Sequence, residues 1–415
     1  MKLGLFEISL RSCSLREVLL LLFLLLIQFA YSQPNKRTCN WFLNKEIGID
    51  FNTGIPVENL DDPTLSGSNI IGSVSTMSDT NGYLLFYSKG IDIVNREHEI
   101  MDGGNSGPNF YPSFQSALSM PKPGSNNLYY LFTARHHEQY NPMFYYLINM
   151  NANNGLGEII DIDTIEASWD ASSFLTASYM KNKRDYWLIT RKFIENKYAA
   201  FRVTSQGIDP NPVLSDTYQW NFDGYRGYMK ISSNKKYIST SFTEAVEICK
   251  LNNDTGEIEF MYFFSLSNLI PGNPAFGTTN CEFSPSSNYL YVSGTKENGG
   301  GSFIYQFDMQ YIEDKDMFMQ SIIEIGNPIG YNIQLAPDGK IYCFYSGENG
   351  LPINDSIVGV INYPDKMGLD CGYEVDAFTL QEGKPFRPFV NFCPDFLFRF
   401  DYIGICESDT FTFNP

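Results

Sequence analysis

Histidine is scarce in this 415-residue chain, and two of its three copies adjoin in Arg135-His136-His137-Glu138. Metal or general-base chemistry would have to start there. Neighbouring residues of a strand point to opposite faces, so the two imidazoles share a metal only within a loop. A zinc site also needs three or four converging ligands. The pattern therefore favours an exposed loop between strands, with Arg135, His136 and His137 kept as ligand-binding candidates. Tyr225-Arg226-Gly227-Tyr228 pairs aromatic with charged groups, as does the run from Arg135 to Tyr140. Both suit a sugar or protein surface, and Tyr225 and Arg226 join the candidates.

Other stretches carry reactive residue types without the spacing their chemistry needs. Gly103-Gly104-Asn105-Ser106-Gly107 lacks the second glycine of a nucleophile elbow, because Pro108 stands in that place. Gly299-Gly300-Gly301 lacks the Lys-Ser/Thr of a phosphate loop. Asp79-Thr80-Asn81-Gly82 and Asn253-Asp254-Thr255-Gly256 offer oxygen ligands, yet neither continues to the distal Glu of an EF-hand-like calcium loop. They read as hairpin turns, with calcium left as an option, and otherwise no cofactor is expected. Carboxylate pairs for glycoside chemistry are not assignable, since their separation is a three-dimensional quantity. No catalytic residue and no metal ligand is assigned.

The elements that would position these residues are strands. Leu335-Ala336-Pro337-Asp338-Gly339-Lys340-Ile341-Tyr342-Cys343 ends one short strand, turns on Pro-Asp-Gly and begins another. Similar polar turns precede Tyr83, Tyr129, Tyr186, Tyr237 and Tyr289, and these anchors with Tyr342 lie 46–57 residues apart. That period is close to the one expected of propeller blades. Six repeats of three or four strands follow, opening near Ser73, Gln115, Phe174, Tyr228, Asn280 and Ile333. A last partial repeat, Phe389–Phe392 with Phe396–Phe400, shows two strands. The strands around Trp41–Phe51 are orphaned at the other end. A propeller closes its ring by completing one blade from both chain ends, which predicts an all-β, seven-bladed propeller. A pair of β-sandwiches also has short strands and regular turns, but the recurring phrase favours the propeller. The acidic stretch Tyr311–Met319 with Ser321–Ile325 is the one helix-or-loop excursion.

Composition places this ring in an export context. The chain is 43% hydrophobic, 15% aromatic and 18% charged, which supplies a core and excludes disorder. Lys2, Arg11 and Arg16 precede the apolar run Val18–Ile27, and Ala30-Tyr31-Ser32 resembles a cleavage site. Residues 1–32 thus read as a signal peptide, 33–402 as the propeller and 403–415 as the start of a further, truncated β-sandwich domain. The run is short for a membrane span, and no later one is long enough. Removing Lys2, Arg11 and Arg16 against Glu7 and Glu17 takes the net charge from −18 to −19. Such a surface is a poor partner for nucleic acid. Seven cysteines remain after Cys13 is removed, with no CxxC pair. Cys343 reads as a small buried apolar residue, and Cys39 and Cys393 would approach each other if the ring closes.

Taken together, Trp41-Phe42, Gly48-Ile49-Asp50-Phe51, Asp79 to Tyr87, Leu335 to Tyr342 and Gly359-Val360-Ile361-Asn362-Tyr363-Pro364 resemble a known family. It is the N-terminal β-propeller of large secreted proteins of Bacteroidota, commonly followed by PKD-type repeats and a type IX secretion (gliding-type) sorting domain. Cys406–Phe413 looks like the first strand of a PKD-type domain. The resemblance implies a secreted or cell-surface scaffold and supplies no catalytic residue. With no chemical motif, the chain reads as a non-catalytic binding or adhesion module for a glycan or surface protein. Two alternatives stay open: a propeller-type glycan lyase or hydrolase with acidic residues in its channel, and a structural spacer.

Overall fold

The computed structural model describes residues 35–44, 47–59, 73–89, 92–105, 115–134, 142–165, 171–192, 195–219, 227–242, 245–269, 275–296, 301–327, 332–344, 357–380 and 390–397. The segments read as signal peptide and as start of a further domain lie outside them. The strands form seven separate antiparallel sheets, the blades of a β-propeller. Blade 1 holds Thr76–Ser78, Leu84–Lys89 and Asp92–Asn95. Blade 2 holds Ala117–Pro121, Leu128–Ala134, Met143–Asn149 and Glu158–Ile165. Blade 3 holds Ala171–Tyr179, Tyr186–Lys192 and Lys197–Thr204, with Val213–Asp216 and Gly207–Ile208 both pairing on the outer side of the third strand. Blade 4 holds Met229–Ile231, Tyr237–Ser241, Ala245–Leu251 and Ile258–Ser265. Blade 5 holds Ala275–Phe283, Tyr289–Lys296, Ser302–Asp308 and Ile323–Gly326. Blade 6 holds Asn332–Leu335, Ile341–Phe344, Ile357–Ile361 and Tyr373–Thr379. The closing blade is built from Asn40–Asn44, Ile47–Asp50 and Val57–Asn59.

One local device is used six times. In every numbered blade a turn joins the innermost strand to the second, and it contains a residue with positive φ: Gly82, Gly124, Lys183, Lys235, Ser287 or Gly339. Its hydrogen bonds recur as well, from Ser284 N to Tyr289 O (2.9 Å) and Ser287 N to Ser284 O (2.8 Å) in blade 5. Blade 6 repeats them as Ala336 N to Lys340 O (2.9 Å) and Gly339 N to Ala336 O (3.0 Å). The aromatic anchors therefore mark the start of each second strand. Glycine accepts the left-handed conformation without strain at Gly339, whereas Lys183, Lys235 and Ser287 hold it under the geometry of the surrounding hairpin.

Each blade is covered by its neighbours on both faces, so the middle strands read as near-continuous apolar runs rather than as alternation. Tyr186–Lys192 is buried at all seven positions, whereas outer strands such as Glu158–Ile165 show their charges to solvent. The core lies between blades: Phe86 meets Tyr129 edge-on at 5.9 Å across blades 1 and 2, and Phe264 packs on Phe307 at 5.4 Å across blades 4 and 5. Innermost strands of adjacent blades run parallel, as the bridge between Gln115 and Phe174 shows.

The first and last described segments meet beside the closing blade. Val390 bridges in parallel to Val74 and Phe392 to Ser119. Trp41 packs against Phe392 at 6.1 Å, and Thr38 Oγ1 donates to Phe396 O (3.5 Å). The C-terminal part departs from expectation beyond this point. Phe396 lies in the 3-10 turn Pro394–Phe396, not in a strand, because Pro394 has no N–H to give a ladder. The excursion around Tyr311 comprises the turn Met309–Tyr311 and the helix Lys315–Gln320, capped by Asp314, but Ile323–Gly326 is the outer strand of blade 5.

The described cysteines are packing residues. Cys39, Cys249, Cys281, Cys343, Cys371 and Cys393 are all buried and free. Cys39 and Cys393 are therefore not joined: they pack in separate hydrophobic clusters, and Cys393 Sγ donates to Ala177 O (3.3 Å). Burial pushes the Cys39 and Cys281 thiols from an ordinary value near 9 up to about 11. Because the folded value lies above the unfolded one, the stability these thiols contribute is complete below about pH 9. It is lost as pH rises through about 11. The melting temperature is expected to hold level to pH 9 and then fall between pH 9 and 11; a level profile to pH 11 would contradict this placement.

Candidate functional site

The sequence candidates fall in two connections, 135–141 and 220–226, that lie outside the described residues. Their flanking strand ends are described. With innermost strands parallel and each blade antiparallel, second-to-third connections leave from the same face as those leading into the next innermost strand. The connection after Ala134 is of the first kind and the one before Gly227 of the second, so both depart from one face, here called the loop face. The opposite face carries the repeated positive-φ turns. His98 belongs to the packing: its Nδ1 lies 3.2 Å from Tyr87 Oη, and its ring meets Phe42 edge-on at 5.6 Å.

Several side-chain oxygens of the turns considered for calcium are engaged by protein groups. Asp79 Oδ1 accepts from Asn81 N (2.8 Å) and Tyr83 N (3.0 Å), fixing the blade 1 turn. Asn252 Oδ1 accepts from Asp254 N (3.1 Å), and Asp254 pairs with Lys181 at 2.7 Å. Gly103 and Gly104 belong to an edge loop where Ile93 N donates to Gly104 O (3.0 Å) and Asp102 bridges to Glu158 of blade 2. Among the described residues no group of three or more His, Cys, Asp or Glu side chains could hold a metal ion.

The axis of the ring is where blades converge, and polar and apolar side chains together fill it. A crevice lined by Gln115, Thr176, Lys230, Glu282, Gln334, Asn391, Phe392, Pro394 and Leu397, among others, has room for about one water molecule. Lys230 Nζ meets Glu282 Oε2 at 3.0 Å and donates to Gln334 Oε1 at 2.8 Å. Glu282 also accepts from Leu335 N (3.1 Å) and from its neighbour Phe283 N (3.1 Å). One buried ion pair thus links blades 4, 5 and 6. Among the described lining residues Glu282 is the only carboxylate and Lys230 the only cation.

A second buried pair lies between blades 3 and 4. Arg191 Nε faces Glu247 Oε2 at 3.8 Å, and both side chains are almost wholly enclosed. Arg191 donates to Tyr218 O (3.1 Å) and its guanidinium lies over the Phe242 ring at 5.2 Å. Glu247 accepts from Thr217 Oγ1, from Tyr218 N (3.1 Å) and from Tyr198 Oη (3.4 Å). Burial first, then the Glu247 charge, pushes the Tyr198 phenol well up. These residues sit directly beneath the strand ends that bracket 220–226, so they anchor the loop face. Sequence reasoning passed over both pairs. The available signal was a lone Arg, Glu or Lys inside an apolar run, as in Ala245-Val246-Glu247-Ile248.

No known family pattern matches the chain, and no curated protein matches it. Solved structures similar to it are propellers and enzymes of mixed description. The Dos1 propeller shares 14% identity over 74% of this chain and 71% of its own, with a TM-score of 0.43. The Cps50 (Swd1) β-propeller domain of Myceliophthora thermophila shares 9% over 81% and 95%, TM-score 0.40. The periplasmic gluconolactonase of Pseudomonas aeruginosa shares 11% over 66% and 73%, TM-score 0.39. The likeness is one of fold.

Removing one partner of a buried ion pair leaves an uncompensated charge, at a cost of about 3–5 kcal/mol. Lys230→Met and Glu282→Gln are each expected to destabilise the ring by that order. The double variant should lose clearly less than the sum, measured by urea unfolding. Additive losses would mean that the two charges act independently.

Proposed function

We propose that this chain is a secreted or cell-surface β-propeller that binds a glycan or protein ligand on its loop face without turning it over. The observation that carries this reading is the filled axis: the chain's own C-terminal segment and the Lys230–Glu282 pair occupy the place where propellers offer a channel. A ligand is then left with the connections on the loop face, which rigid strands hold in place. Arg135, His136, His137, Tyr225 and Arg226 lie in two such connections and combine cationic with aromatic groups. The Arg191–Glu247 pair holds Thr217 and Tyr218, just ahead of the second of them. The basic and apolar N-terminal run supports export, and the resemblance to Bacteroidota surface propellers supports the same compartment.

The competing glycan hydrolase needs two carboxylates flanking the scissile bond. Glu282, the single described carboxylate of the axial crevice, is held by Lys230 and two backbone amides. That disposition favours binding over turnover.

The test is a glycan and surface-protein array probed with the purified chain, with and without calcium, beside the Arg135→Ala, His136→Ala, Tyr225→Ala and Arg226→Ala variants. Selective binding is expected, with at least one of these substitutions weakening it about tenfold, as for a lost anchor contact, and with ligand mass unchanged. Shortened glycans would transfer the protein to the enzyme class. Binding that none of the four substitutions affects would move the site elsewhere, and silence on every spot would favour a spacer.

A further inference from the structure

The way residues 390–397 are held differs from ordinary strand pairing. Only two isolated bridges are backbone ladders; most of the contacts are side-chain specific. Asn391 Nδ2 donates to Ala117 O (2.8 Å) in blade 2 and to Leu175 O (2.9 Å) in blade 3. Its Oδ1 accepts from Gln115 Nε2 at 3.0 Å. Cys393 fits a fully enclosed position against Ala177, where burial raises its thiol. Asp395 accepts from Tyr179 N (2.6 Å) and pairs with Lys235 at the turn of blade 4. Phe396 meets the stacked Tyr179–Tyr186 pair edge-on, at 6.2 Å from Tyr179 and 6.3 Å from Tyr186. Every second residue from 391 to 395 is thus read by a different group of the ring.

The geometry points to a peptide-recognition groove along the axis, filled in cis by residues 390–397. It reads an amide at 391, a small thiol at 393 and a carboxylate at 395. Such a groove holds its segment through these contacts, not through the covalent connection at 381–389. The ligand class is an extended peptide of the pattern Asn-Phe-Cys-Pro-Asp-Phe, as this chain carries it. Substituting Asp at 391 removes two donors and places a charge against two carbonyls and enclosed walls. Substituting Asn at 395 removes the charge that Lys235 faces.

The full chain with a protease site introduced within 381–389 provides the test. After cutting, the C-terminal fragment is expected to co-elute with the ring on gel filtration under native conditions. Just below the urea midpoint, a labelled synthetic peptide spanning 388–400 is expected to exchange into the cut ring. Unlabelled native peptide should compete, while the Asn391→Asp and Asp395→Asn peptides compete about tenfold less well or worse. Because the ring is the same in every competition, failure of a variant to fold does not enter. A fragment that elutes apart, a ring that unfolds on cutting, or variant peptides that compete equally would each overturn the proposal.

Discussion

The structure depends most on the amide of Asn391 and its partner Gln115. Asn391 reaches blades 1, 2 and 3: its own N–H goes to Val74 O (2.7 Å), and Ser75 Oγ donates to its carbonyl (2.8 Å). Gln115 extends the network to blade 4 by donating to Met229 O at 2.8 Å and accepting from Met229 N. Four blades are thus tied through two adjacent side-chain amides, both nearly excluded from water. Buried amides cost free energy unless their donors and acceptors are matched, so a network with this many partners fixes one arrangement of the blades.

Further polar contacts repeat the pattern outward. Blades 4, 5 and 6 are linked by Lys230 with Glu282, and blades 3 and 4 by Arg191 with Glu247. Between blades the remaining surface is aromatic and aliphatic, which packs well but specifies register weakly. Buried pairs at the interfaces supply that specificity at a cost in desolvation. In a chain of net charge −18, Lys230 and Arg191 are thus each buried against a carboxylate.

Much of this architecture was legible in the sequence because one turn recurs. Pro337-Asp338-Gly339 states the rule, and the other five turns obey it even where Lys183, Lys235 or Ser287 takes the place of glycine. Tyr83 belongs to the series by position although its ring is exposed, since the turn and not the ring sets the register. What escaped was carried by tertiary contact. Asn391, Gln115, Lys230 and Glu282 lie far apart in sequence, and no local pattern separates a buried Lys in a short strand from an exposed one. Cys39 and Cys393 were drawn together by ring closure, yet neighbouring wedges of the ring hold them in different clusters. Phe396 looked like a strand residue until Pro394 interrupted the ladder. The candidates at 135–137 and 225–226 came from residue type alone; the described strands add that both connections leave from one face.

The account stands on the axial segment being one cooperative unit with the innermost strands. Native-state amide hydrogen exchange measures this directly, because it resolves local from global opening. The amides of Asn391 and of Tyr179, which donates to Asp395, are predicted to exchange with the same opening free energy as Leu175 and Met229 in blades 3 and 4. Exchange of Asn391 at a distinctly lower free energy, with those strands still protected, would show that the ring closes without the segment and would contradict the account.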